Sequence, residues 1–251
     1  MSCLCIAGVT QPVLDIVAKV LVTSGMKLLV SDESTLLTND PALASEKNIS
    51  PDKLGTSVTP HRLHQVMQLA HSSELTGWAD TDNLNALAAW LRIEPTMCFV
   101  LVASKIEDVL ARAIDSHDNE FDCEQIIYNW HQSHQNLLHF FYRHRERCVL
   151  VQEQDCLNDT QGFVRACVQK FSVPLQIPKE PLSVWSAIEN TVALHFAKKL
   201  LESYPEALSL ENELTTCLTD IAFTKETLSE SQGPSSAYAL LNEYRAQRAK
   251  A

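Results

Sequence analysis

Gly8, Thr10 and Gln11 stand where an apolar run, Cys3–Val9, passes into an amphipathic pattern of Val13, Ile16, Val17, Val20 and Leu21 that closes at Gly25. A glycine at such a strand-to-helix passage lets backbone N–H groups converge on a phosphate. A working phosphate loop also needs several glycines, a Lys or Arg for charge, and a Ser or Thr hydroxyl at the helix start. Here Pro12 removes one N–H, and bulky Val13 and Leu14 replace small residues. Asp15 adds negative charge in what the pattern predicts as the first helical turn, where an anion would sit. The layout is that of a nucleotide-binding domain, and the chemistry differs from it. Lys105 and Arg112, seven residues apart beyond the apolar run Met97–Ala103, are the cations placed to compensate. They fall near a strand's carboxyl end, where open α/β sheets bind ligands.

Other groupings read as structural. His131, His134, His139 and His144 crowd one predicted helix, and no acidic third ligand is clearly placed for a metal. They read as exposed or hydrogen-bonded helix histidines. The chain has no C-x-x-C pair and no G-x-S-x-G elbow. Arg143 to Arg147 is a basic cluster at a helix end, suited to the helix dipole.

The elements that must position these residues follow from the apolar pattern. Strand-like runs at Cys3–Val9, Lys27–Ser31, Met97–Ala103 and Cys148–Gln152, with a short candidate at Leu175–Ile177, are continuous rather than alternating. That is the pattern of strands covered on both faces of a parallel sheet. Helical patterns lie between them: 60–70, 82–91 with Gly77-Trp78 in the connection before it, 106–114, 123–145, 160–171, 183–204 and 208–228. The order β-α-β-α-β predicts a doubly wound α/β domain. Residues 32–59 read as a polar surface excursion. Gly233-Pro234 marks a hinge within 229–236, before a short terminal helix at 237–250 whose Tyr238, Leu241 and Tyr244 form one apolar stripe.

The chain has 251 residues, 45% hydrophobic, enough for a sizeable core. A formal charge of -11 disfavours nucleic acid and anionic membrane as partners. No apolar run reaches the ~20 residues of a membrane span. Eight scattered cysteines and no basic, apolar leader point to a reduced, cytoplasmic setting.

This arrangement resembles the sulfotransferase family, a branch of the P-loop fold. The resemblance rests on Ala7 to Asp15 with Gly25, on Phe99 to Arg112, and on Trp130 with its helix. It continues through Cys148 to Leu157, Phe163 to Pro174, and Tyr204-Pro205 with Leu210 and Leu214. The family's opening reads about G-x-x-R-S-G-T-T, so its Arg falls on Gln11, its Ser on Pro12, its Gly on Val13 and its two Thr on Leu14 and Asp15. The Arg implied to hold the cosubstrate's 3′-phosphate falls on Ala103, and its partner Ser on Arg112. The family's Y-E-D-L acid falls on Gln154 or, one position earlier, on Glu153, with Asp155 beside it. Glu153 and Asp155 are thus the catalytic candidates that the resemblance implies. Gly8, Thr10, Gln11, Lys105 and Arg112 are the corresponding cofactor-binding candidates.

The expectation is a three-layer parallel sheet of sulfotransferase-like type over residues 1–228, extended by helices towards the C-terminus. The function expected is that of a divergent, non-catalytic binding or assembly component without a cofactor, with bacterial glycan or envelope metabolism as the setting implied by resemblance. Its partner would be a protein or a second copy held through the terminal helix. The alternative is an active sulfotransferase using 3′-phosphoadenosine-5′-phosphosulfate through a relocated site.

Overall fold

Short apolar runs become the inner strands of the sheet because both of their faces are covered. In the computed structural model, the described residues are 3–29, 74–115, 122–178, 191–219 and Ile221. The excursion at 32–59, the helix at 60–70, the first part of the 183–204 helix and the hinge and helix at 229–251 lie outside them.

Five parallel strands form one sheet: β1 (Cys3–Gly8), β2 (Lys27–Leu28), β3 (Thr76–Ala79), β4 (Cys98–Ala103) and β5 (Cys148–Gln152), in the order β2-β3-β1-β4-β5. The helices are α1 (Gln11–Thr23), α2 (Asn83–Ile93), α3 (Ile106–Asp115), α4 (Cys123–Arg143), α5 (Glu153–Asn158), α6 (Thr160–Phe171), α7 (Thr191–Leu201) and α8 (Pro205–Cys217).

The period-two alternation of β1 divides the core. Cys3, Cys5 and Ala7 face a layer built from α2, α3, α4, α7 and α8. Leu4 and Ile6 face α1, α5 and α6. Three layers result, as the sequence pattern predicts. None of the eight cysteines is bonded to another. Thr219 covers the outer edge of β5, donating its N–H to Leu150 O at 2.6 Å and accepting Leu150 N–H at 3.1 Å. That shields an edge otherwise open to pairing with another strand.

Three elements differ from the sequence reading. Gly77-Trp78 lies within β3 rather than in a connection. Gly77 is there because the backbone needs a close approach: a Cβ would come within 2.7 Å of Leu4 O and 2.6 Å of Met26 Sδ. The segment 175–177 is not a strand, although Gln176 N–H donates to Ser24 O at 2.7 Å. Asp15 falls in the second turn of α1, because the helix already begins at Gln11.

Candidate functional site

The chain leaves β1 towards α1 on one face of the sheet, while neighbouring β3 and β4 continue into α2 and α3 on the other. Divergent exits from adjacent parallel strands open a crevice at their carboxyl ends. A cleft of about 380 Å³ occupies that place. Gly8, Val9 and Thr10 from the β1–α1 passage line it, as do Thr81, Asp82, Leu84 and Asn85 from the start of α2. Val109 of α3 and Ile126, Asn129, Trp130 and Ser133 of α4 complete the lining. Its one charged side chain among these is Asp82, and it is acidic.

The passage from β1 is compact. Only Val9 and Thr10 separate strand from helix, and the N–H groups of Val13 and Leu14 both close on Thr10 O at 3.1 Å. Gly8 serves packing: a Cβ there would lie 2.9 Å from both Leu14 Cδ2 and Val102 O. Gln11 is spent on the scaffold, its Nε2 donating to Asp15 Oδ1 at 2.8 Å and its Oε1 accepting Thr81 N–H at 3.2 Å. The Thr10 hydroxyl makes no capping bond.

Below the cleft, three buried polar side chains fix the strand ends. Asn83 Nδ2 donates to Ile6 O at 2.8 Å, and its Oδ1 accepts the indole N–H groups of Trp78 and Trp90 at 3.0 and 3.1 Å. Trp130 Nε1–H donates to Ser104 O at 2.8 Å, while Ser104 N–H donates to His134 Nε2 at 3.1 Å. With Nε2 accepting, Nδ1 must carry the proton and donate to Trp130 O, 2.9 Å away. His134 is fully buried, and burial lowers its pKa from 6.5 to about 4. It is a core histidine holding the β4–α3 connection. Among the described residues, no group of three or more His, Cys, Asp or Glu is placed to hold a metal.

The second crevice lies between β4 and β5, whose helices α3 and α5 also leave to opposite faces. It is bridged. Arg112 donates through both terminal nitrogens to the two oxygens of Glu153, at 2.5 and 3.0 Å. The Glu153 side chain is 3% exposed and that of Arg112 26%, so this pair is well shielded and its bidentate geometry strong. Gln154 Nε2 donates to Asp108 Oδ2 at 2.8 Å, a second tie between the two helices. Burial raises the Asp108 pKa, and nearby Glu107 and Glu153 push the same way.

At the start of α3, Glu211 of α8 accepts the Ile106 N–H at 3.3 Å. Burial raises the Glu211 pKa as well, with Lys105 acting in the opposite direction. Lys105, half-buried, therefore lies in the field of Asp108 and Glu211. Asp155 is exposed on α5. The structure thus joins Arg112 to Glu153, leaves Asp155 at the surface, and puts Gly8 and Thr10 at the cleft.

Sequence reasoning missed Asn83, Asp82, Asn85, Asn129 and Ser133. One signal was present: Ile126, Asn129, Trp130 and Ser133 recur at i, i+3, i+4 and i+7, a single helical face.

No family model matches the chain, and no curated protein sequence is significantly similar to it. Solved structures do match. A sulfotransferase from Alicyclobacillus acidocaldarius superposes with a TM-score of 0.52 at 12% identity, covering 84% of this chain and 95% of that one. The sulfotransferase domain from the curacin biosynthetic pathway gives 0.49 at 12% identity, over 84% and 96%. The chain has a sulfotransferase-like fold.

Proposed function

We propose that this protein is a divergent sulfotransferase-fold component that works by binding rather than by sulfuryl transfer. The observation that carries the reading is that candidate anion-binding groups are taken up by the protein's own carboxylates. Glu153 engages Arg112, and Glu211 takes the first N–H of α3. Sulfuryl transfer depends on positioning and on electrostatic stabilisation by charged donors. Each missing charge-assisted hydrogen bond forfeits about 1.5–3 kcal/mol. The cleft at Gly8 supplies no cation in return among its described lining. On this reading no nucleotide cofactor is needed, and a binding or assembly role in the cytoplasm fits the chain's charge and its eight cysteines, none bonded to another. Among the described residues no helix is long and apolar enough to cross a membrane.

Thermal shift with adenosine 3′,5′-bisphosphate tests the reading. A ligand that binds the folded state raises its melting temperature by mass action. No stabilisation at millimolar ligand is expected. Tight binding that Lys105→Ala or Arg112→Ala abolishes would instead establish a relocated cosubstrate site and defeat this reading.

A further inference from the structure

Polar side chains around the cleft at Gly8 divide into two sets. Asn83, His134 and Gln11 are committed to holding strands and loops in place. The side chains of Thr10, Thr81, Asp82, Asn85 and Ser133 line the same cleft and make no hydrogen bond or ion pair among the described residues. Asn129 uses only its oxygen, accepting from Gln125 at 2.8 Å, so its NH₂ group remains available. Leu84, Val109, Ile126 and Trp130 supply the apolar wall. A concave, mainly apolar site with a few convergent, uncommitted polar groups is what small-molecule recognition requires.

The sign of the charge defines the ligand. Asp82 stands exposed at the start of α2, lines the cleft and makes no capping bond. At the α1 terminus the N–H groups of Val13 and Leu14 close on Thr10 O and Pro12 has none to offer, and no Lys or Arg belongs to the described lining. The chain's -11 charge adds a field that gathers cations. An anion would meet Asp82 with no positive partner. An ammonium group would be paired with it, while ligand hydroxyls would meet Thr10, Ser133 and the Asn129 amide.

We infer that this cleft binds a small hydroxylated amine, with Asp82 receiving the ammonium group and Thr10, Asn129 and Ser133 the hydroxyls. The inference deepens the binding role proposed above and rests on the absence of phosphate-directed chemistry there. Glucosamine is the probe, with glucose and glucose 6-phosphate as its neutral and anionic counterparts, measured by calorimetry at low salt on the full chain.

Glucosamine should bind about tenfold more tightly than glucose, the margin of one charge-assisted hydrogen bond. Glucose 6-phosphate should bind more weakly than either. Asp82→Asn should bring glucosamine to the level of glucose, and Ser133→Leu, which removes a hydroxyl and puts bulk into the cleft, should weaken both. Circular dichroism on each variant confirms folding. Absence of glucosamine binding, equal or tighter binding of glucose 6-phosphate, or indifference to Asp82→Asn in the folded variant would each overturn the inference. Failure with glucosamine alone leaves the non-catalytic reading standing, because stabilisation by adenosine 3′,5′-bisphosphate decides that one separately.

Discussion

Acidification should expose the burial of His134. The imidazole has no solvent contact, and both ring nitrogens are engaged with Ser104 and Trp130. Burial, aided by a small repulsion from His131, holds its pKa near 4 against a Trp130 carbonyl that favours the charged form. An unfolded histidine takes its proton near 6.5. Between those values the unfolded state binds the extra proton, so stability is complete above 6.5 and falls as pH drops. At about 1.4 kcal/mol per tenfold change in proton affinity, roughly 2 kcal/mol is lost between pH 7 and 5, and about 3 kcal/mol by pH 4. Asp108 and Glu211 act with the opposite sign, since buried carboxyls with raised pKa values stabilise at low pH and lose that contribution as pH rises. His144, also lowered by burial, acts with the same sign as His134. All three are common to the wild type and to His134→Ala, so the difference between the two proteins isolates His134. The variant leaves the buried Ser104 N–H unpaired, costing about 1–3 kcal/mol at pH 7 beyond the reduced packing. Urea unfolding at pH 7 and 5 should show that deficit shrinking by about 2 kcal/mol on acidification. Independently, the wild-type Cε1–H resonance of His134 should stay fixed over that range. A deficit unchanged with pH, or a resonance that titrates near 6.5, would refute the buried neutral tautomer.

Glu153→Gln should destabilise by about 3 kcal/mol in urea unfolding, because it strands the shielded Arg112 guanidinium. Arg112→Met together with Glu153→Leu should recover most of that loss, as apolar replacement of a buried pair does. Gly8→Ala should cost about 1–3 kcal/mol through overpacking. Leu14→Ala in the same chain should not rescue it, since the Val102 carbonyl also lies 2.9 Å from the new methyl group. Asn83→Ala leaves the indole N–H groups of Trp78 and Trp90 without their partner, while the Ile6 carbonyl keeps only the Asp80 N–H at 3.3 Å. A loss of about 3 kcal/mol or more, read as a drop in melting temperature, is expected. Ser172 ends α6 in the left-handed region at φ 54°, so Ser172→Gly should stabilise by about 1 kcal/mol in the same assay.

The fold was legible where burial is two-sided. Cys148–Gln152 and Thr160–Phe171 were read to the residue, since an uninterrupted apolar run and an Asp159 cap fix them locally. β3 was not, because its glycine answers to a neighbour distant in sequence: Leu4 presses on Gly77 across the sheet, and no local pattern records that. The candidate site was legible only by position. Gly8 and Arg112 were placed near strand ends, but the pairing of Arg112 with Glu153 spans 41 residues and depends on α3 and α5 leaving adjacent strands to opposite faces. Likewise His134 shares a helix with two other histidines, His131 and His139. Only the approach of Ser104 makes it the one in the core.

Charge placement, more than fold, separates this site from a phosphate cradle. Parallel strands with divergent exits create the same crevice whatever lines it. Here one crevice is bridged by an ion pair whose two charges satisfy each other, and the other keeps its volume with a single carboxylate at the rim. Restoring a phosphate site would therefore take more than adding a lysine beside Gly8. Glu153 would have to release Arg112, which costs a shielded pair, and Glu211 would have to leave the α3 terminus. Each change exposes a group that the present arrangement satisfies. On the binding role proposed above, the interactions that tie the scaffold together are the same ones that would keep a nucleotide out.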